Sequence, residues 1–308
     1  MGVIFLCSGQ GMQHPAMFAR LAQEPAAAAV LDTASRHLGV DVHHLEANPG
    51  TLDFSDNLTA QLLITAHALA ADAALNDERP EICLGYSVGE IAACACAGAI
   101  TANAALDLIR HRARCMDAAR DATAPQGMLA VIGIPVAALG AMLEGVDAEI
   151  AIVNGPDHAV VGGTGTALNA LENSLPTQGA RNIRRLSVRV ASHTRFMAQA
   201  ADAFAPVLEA MDWRTPRLHL LSGVDGRPIR SKADAVTALT RQLRETLNFH
   251  RALESAREHG ATCALEIGPG RSLTRMFDEA FPDVPARAFE DFRSAAGAQT
   301  WLARHAAS

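Results

Sequence analysis

Apolar residues arrive along the chain first in short runs and then in longer helical periods, and the two kinds alternate. A run at Val3 to Cys7 predicts a strand, stretches near Ala16 to Leu38 and Ala60 to Leu75 predict helices, and Ile82 to Leu84 predicts a second strand. Helices are expected next from Val88 to Ala97 and from Ala102 to Ala119. Short apolar runs separated by helical periods imply parallel strands joined by helical crossovers, because such strands meet side chains on both faces.

Between Gly127 and Val188 the rhythm changes. The order becomes strand (MLAVIGI), helix (VAALGAMLE), strand (EIAIVN), strand (HAVVGG), helix (ALNALENSL) and strand (NIRRLSV). This βαββαβ order is the signature of a ferredoxin-like subdomain. Residues 125–189 are therefore expected as an insert within a larger unit made of 1–124 and 190–308. The α/β rhythm then returns with a helix through Phe196 to Met211, a strand LHLLS, a helix around Leu253 to Glu258, and a strand at Ala264 to Ile267 closed by Gly268, Pro269 and Gly270. The main sheet would thus draw on both ends of the chain.

Composition narrows the possibilities. Of 308 residues, 49% are apolar and 19% charged, which suits an ordered fold with a large core. The formal net charge of −7 argues against a nucleic-acid or anionic-membrane surface. The first residues lack the basic segment of a signal peptide, and His67 and Asp72 interrupt the longest apolar stretch, so a cytoplasmic protein is expected. Six cysteines fit no disulfide or zinc spacing and read as reduced, buried thiols; neither a metal site nor a bound cofactor is expected.

The candidate chemistry begins at ICLGYSVGEIAAC. Gly85, Ser87 and Gly89 stand in G-x-S-x-G spacing between an apolar strand and a helical pattern, the setting in which a serine nucleophile is pushed out at the edge of a sheet. Ser87 and Glu90 also fit a capping box, an ordinary helix start. A serine needs a base, and histidine is best matched to take and return a proton near neutrality. Among twelve histidines, His193 lies in a polar turn where the insert ends and the larger unit resumes. The turn Gly9-Gln10-Gly11 after the first strand can offer an amide to an oxyanion, with the amide of Val88 as the second donor. Arg112, within an apolar helical pattern, reads either as a solvated arginine or as a buried clamp for a substrate carboxylate.

These segments, together with E-I-G-P-G near residue 268, are collinear over nearly the full chain, and the set resembles the malonyl-CoA:acyl-carrier-protein transacylase family. The resemblance implies an α/β-hydrolase-like core with a ferredoxin-like insert. It implies Ser87 as nucleophile, His193 as base, Gln10 and Val88 as oxyanion donors, and Arg112 on the malonyl carboxylate. It also implies Gln61 lining the pocket and a main-chain carbonyl near Asn248 orienting the histidine. Two positions depart from the family's commonest pattern: Tyr86 stands where a histidine is usual, and Cys7-Ser8 replaces Phe-Pro. With FLCSGQGMQH and LLSGVDGRPI they look more like the malonyltransferase (epsilon) subunit of bacterial malonate decarboxylase.

The activity so implied is a ping-pong transfer from malonyl-CoA through a malonyl-serine ester. The acceptor would be the phosphopantetheine-type thiol of an acyl carrier protein, or, in the decarboxylase reading, a small subunit bearing a phosphoribosyl-dephospho-coenzyme A arm. A loading enzyme of fatty-acid or polyketide synthesis is the alternative. A serine hydrolase and a non-catalytic carrier-docking subunit are rivals of other kinds. V-A-S-H, residues 190 to 193, does not choose between malonyl and methylmalonyl.

Overall fold

The computed structural model describes residues 2–75, 80–120 and 125–306. The expected boundary at residue 124 falls in 121–124, outside the described residues.

In chain order the first part contains β1 (Gly2–Cys7), α1 (Ala28–Leu38), α2 (Asn57–Leu75), β2 (Ile82–Gly85), α3 (Gly89–Cys96) and α4 (Ala102–Ala118). Then come β3 (Gln126–Ile132), α5 (Val136–Met142), β4 (Ala148–Gly155), β5 (His158–Thr164), α6 (Gly165–Ser174) and β6 (Asn182–Arg185). The last part holds α7 (Ala198–Ala210), β7 (His219–Leu221), β8 (Pro228–Ile229), α8 (Lys232–Arg244), β9 (Leu247–Asn248), α9 (Phe249–Glu258), β10 (Ala261–Ile267), α10 (Ser272–Ala280), β11 (Ala286–Ala288) and α11 (Ala295–Ala306).

Two sheets result. The larger has the order β11-β10-β1-β2-β7-β8, parallel except for the β7–β8 pair. β1 sits between β10 and β2, so the two ends of the chain do build one sheet. Every residue of β1 is buried, as a central strand covered on both faces requires. Parallel pairing also brings the C-terminal ends of β1, β2 and β10 to one edge, where ligands of open α/β sheets bind. Cys7, Gly85 and Ile267 are in register there.

The smaller sheet has the order β6-β3-β5-β4-β9. Its first four strands are antiparallel to one another, with α5 and α6 crossing over. The fifth, β9, comes from far along the chain and runs parallel to β4. A two-residue strand has no period to read, and the same holds for β8.

Other expectations need correction. No continuous helix covers 16–38: short 3₁₀ turns start at Pro15 and Pro25, and α1 begins only at Ala28. Proline at these positions supplies no N–H to the preceding turn. The strand expected to Val188 stops at Arg185. Helices α8, α10 and α11 were not expected at all. α2 is long and apolar enough to cross a membrane by length and composition, yet 78% of that window is buried inside the fold. It packs among α1, α3 and α4. None of the six cysteines forms a disulfide, and all but Cys115 are buried.

Candidate active site

Steric closure makes the serine turn. β2 ends at Gly85, and a side chain there would overlap the backbone of Gly89 and Glu90 as α3 doubles back. A side chain on Gly89 would overlap the carbonyls of Cys7 and Ser8 at the end of β1. Between these glycines Ser87 is held at φ 55. His193 has φ 64, and these two are the only non-glycine residues with positive φ among the described residues. Each carries about 1–3 kcal/mol of backbone strain that the surrounding fold must sustain.

The two strained residues face each other. Ser87 Oγ lies 2.8 Å from His193 Nε2, and His193 Nδ1 lies 2.5 Å from the Gln242 carbonyl oxygen. A carbonyl only accepts, so Nδ1 carries the hydrogen and Nε2 presents a lone pair to the serine hydroxyl. The His193 amide donates to the carbonyl of Leu243 at 2.9 Å. Both carbonyls belong to the last turn of α8, whose C-terminal carbonyls lack helical partners. Burial pushes the His193 imidazole down to about 3; the Gln242 carbonyl opposes the shift and the charge of Arg112 adds to it. The resting imidazole is therefore neutral, and the negative end of α8 favours an imidazolium when one forms.

Arg112 is not a solvated arginine. It is 1% exposed, on the inner face of α4. Its guanidinium donates to Gln61 Oε1 at 2.7 Å and Gln242 Oε1 at 3.0 Å, and contacts the Met116 sulfur at 3.2 Å. Burial lowers it to about 10, which leaves it cationic at neutral pH. Gln242 Nε2 in turn donates to the Ser87 carbonyl at 2.9 Å, so the cation stands one side chain away from Ser87.

The Gly9-Gln10-Gly11 turn packs backbone to backbone against the elbow. A side chain at Gly9 would come within 2.8 Å of the Tyr86 carbonyl oxygen. Gln10 is thereby set next to the elbow, in which Val88 caps α3. Its side chain donates to Asn57 Oδ1 at 3.4 Å, an oxygen that also accepts from Gln61 at 2.8 Å. Ser8 donates to buried Glu266 at 2.8 Å, and Thr274 donates to the same carboxylate through its amide and hydroxyl. The E-I-G-P-G segment thus anchors the turn. Tyr86 packs edge-on against Phe249, with ring centroids 4.9 Å apart, and its hydroxyl lies near Asn154 of β4.

The structure thus gathers Ser87, His193, Arg112 and Gln61 into one bonded set, with Gln10 and Val88 at its edge. Asn248 is a correction: its side chain caps α9 by accepting from the Arg251 amide, and the carbonyl that orients His193 is that of Gln242. Asn248 opens a helix, whereas the His193 ring is held by a carbonyl left free at a helix end. Glu90 is a second correction, because it closes no capping box; its carboxyl accepts from Gln242 Nε2 at 2.6 Å. Gln242 was missed although a signal existed: it continues the apolar stripe of Ala235, Ala238 and Leu239 at helical spacing.

A strained serine, a neutral buried imidazole and a buried cation in an α/β fold are the equipment of an acyltransferase, which holds an acyl group on serine and hands it on. Comparison with known proteins narrows that class: the acyl transferase domain family model matches residues 4–301, and the chain belongs to that family, within the malonyl-CoA:acyl-carrier-protein transacylases. It is 34% identical over 291 residues to the malonyl CoA-acyl carrier protein transacylase of Mycobacterium tuberculosis H37Rv, covering 93% of this chain and 95% of the relative. The Haemophilus influenzae protein of the same description is 28% identical over 298 residues, with 93% and 94% covered. The crystal structure of the acyl-carrier-protein S-malonyltransferase of Burkholderia pseudomallei 1710b superposes with a TM-score of 0.90 at 25% identity, covering 97% of this chain and all of that one. A malonyl-transacylase solved with its type II polyketide-synthase acyl-carrier protein gives 0.90 at 27% identity, covering 97% and 99%.

Proposed function

We propose that this enzyme moves a malonyl group from malonyl-CoA to the thiol of an acyl carrier protein through an ester on Ser87. One observation carries the reading: Gln242 joins the Ser87–His193 pair to a buried arginine, so a nucleophile and a carboxylate receptor occupy one site. The names of the relatives and the carrier-bound structure support malonyl and acyl carrier protein as the two partners. In this reading residues 125–189 form a ferredoxin-like insert in an α/β-hydrolase-like core of 1–124 and 190–308. The setting is cytoplasmic.

His193 Nε2 takes the Ser87 proton as Oγ attacks the thioester carbonyl. The tetrahedral oxyanion rests on the amides of Gln10 and Val88 while Arg112 pairs with the malonyl carboxylate. Collapse breaks the C–S bond, and the coenzyme A thiolate leaves with the proton held on His193. The carrier thiol then gives its proton to His193 and attacks the ester, which returns Ser87. The bound carboxylate keeps the acyl chain in one pose through both halves.

Loading of the carrier subunit of a malonate decarboxylase is the second reading, favoured by the segments FLCSGQGMQH, GYSVGE and LLSGVDGRPI, with Cys7, Ser8 and Tyr86 in them. The relatives support acyl carrier protein of fatty-acid or polyketide synthesis over it. The test is intact mass after incubation with malonyl-CoA or acetyl-CoA, with peptide mapping of any adduct. A malonyl ester on Ser87, absent in Ser87→Ala, is the expected result. Steady ester hydrolysis without a thiol would point to a hydrolase, and carrier binding with no acyl-enzyme to an idle docking subunit.

A further inference from the structure

We propose that Glu90 is a positioning residue for the acyl-group clamp: through the side-chain amide of Gln242 it fixes how Arg112 presents its guanidinium. The inference rests on the reading of Arg112 as carboxylate receptor. The mechanism above uses the Gln242 main-chain carbonyl and gives Glu90 no task. Yet Glu90 is fully buried one helical turn from the nucleophile, and its Oε1 has no hydrogen-bond partner.

The direction of the chain follows from donor and acceptor chemistry. Arginine only donates, so the Gln242 group facing Arg112 must be the oxygen, as observed at 3.0 Å. The amide nitrogen then points the other way and needs two acceptors, which are the Ser87 carbonyl at 2.9 Å and Glu90 Oε2 at 2.6 Å. Both N–H groups of the Gln242 side chain are thereby used, and its oxygen is engaged by Arg112. The Ser222 side chain and Gly223 backbone, in the turn after β7, partly offset the cost of burying the Glu90 carboxyl. Without Glu90 one amide N–H is left buried without an acceptor, and the amide gains by turning away from Arg112. Burial pushes Glu90 up to about 7, so its protonated form is populated at neutral pH, and glutamine is the isosteric mimic of that form.

One residue thus serves two functions through separable groups. The Gln242 carbonyl orients the base; its side chain, held by Glu90, orients the clamp. The experiment measures kcat/KM for malonyl-CoA and acetyl-CoA, with free pantetheine as acceptor, in wild type, Glu90→Ala, Glu90→Gln and Gln242→Met. The malonyl-to-acetyl ratio should fall by a factor of about 5 to 150 in Glu90→Ala and Gln242→Met, the effect of one buried donor left unsatisfied. Glu90→Gln should restore the ratio to within about threefold of wild type. An equal fall for both donors in Glu90→Ala, or no recovery in Glu90→Gln, overturns the proposal. If Glu90→Ala does not fold, Gln242→Met decides, and an unchanged ratio there overturns it as well. A wild-type enzyme that prefers acetyl would instead sink the carboxylate-receptor reading itself.

Discussion

Replacing Arg112 by methionine removes the buried charge and keeps most of the side-chain volume. The malonyl carboxylate would then enter a site whose remaining polar groups are two glutamine amides already bonded within the protein. Loss of one partner of a buried charge pair costs about 2–5 kcal/mol, so kcat/KM for malonyl-CoA should fall by about 30- to 5000-fold. Acetyl-CoA brings no carboxylate, and its rate should change far less. Loss of the cation also removes one contribution that lowers His193, which does not penalise the base at pH 7.5. The assay is quenched-flow formation of the Ser87 ester, read by mass, with each donor at several concentrations. Because the pairing forms on binding, the malonyl loss should include a higher KM. Equal losses for malonyl and acetyl would refute the argument and return Arg112 to a structural role.

Other expectations follow from the same geometry. With His193 held near 3, its proton is absent throughout the neutral range, so Ser87 acylation should keep its rate from pH 7 to pH 5.5. An imidazole at its ordinary value of about 6.5 would lose roughly eightfold over that interval, and such an acid limb would refute the buried neutral base. Gly85→Ala should cost at least about 3 kcal/mol and lower the melting temperature by about 6 °C or more, because the added carbon meets backbone that cannot move aside. Gly50→Ala, where nothing lies within 4 Å, is the control and should be neutral. Equal melting temperatures for the two variants would contradict the steric account.

What the sequence reveals here depends on where the information lies. The serine elbow is legible because its geometry is enforced locally, by Gly85 and Gly89 on either side of Ser87 between an apolar strand and a helix. His193 and Arg112 are legible only as members of a collinear set, since nothing near either residue says that α4 and the turn before α7 converge. Gln242 is harder still, because its contribution to the base is a main-chain carbonyl that any residue would supply. Its helix does carry a start signal, Ser231 accepting from the Asp234 amide, and basic residues Arg241 and Arg244 in its last turn. The Asn248 expectation missed by one helix boundary: the free carbonyl comes at the end of α8, not at the beginning of α9. Strands β8, β9 and β11 leave no pattern, being two or three residues long and ordered by partners far along the chain.

The two strained residues are held in different ways, and the difference bears on how the site works. Ser87 is fixed from its own chain by glycines that bring α3 against β1 and β2. His193 is fixed from outside, by two carbonyls at the end of a helix nearly fifty residues later, which hold its amide and its ring at once. The imidazole therefore does not need a carboxylate to set its tautomer, and a buried acid beside it would raise its affinity for the proton it must give back. The buried acid Glu90 is kept one amide away, on the nitrogen side of Gln242 rather than the side that meets Arg112. Burial holds the imidazole neutral between half-reactions, and the Arg112 charge adds to it. In the proposed mechanism a neutral base suits an ester that must wait for a thiol, because each half-reaction begins by removing a proton from the attacking group, first Ser87 and then the carrier thiol.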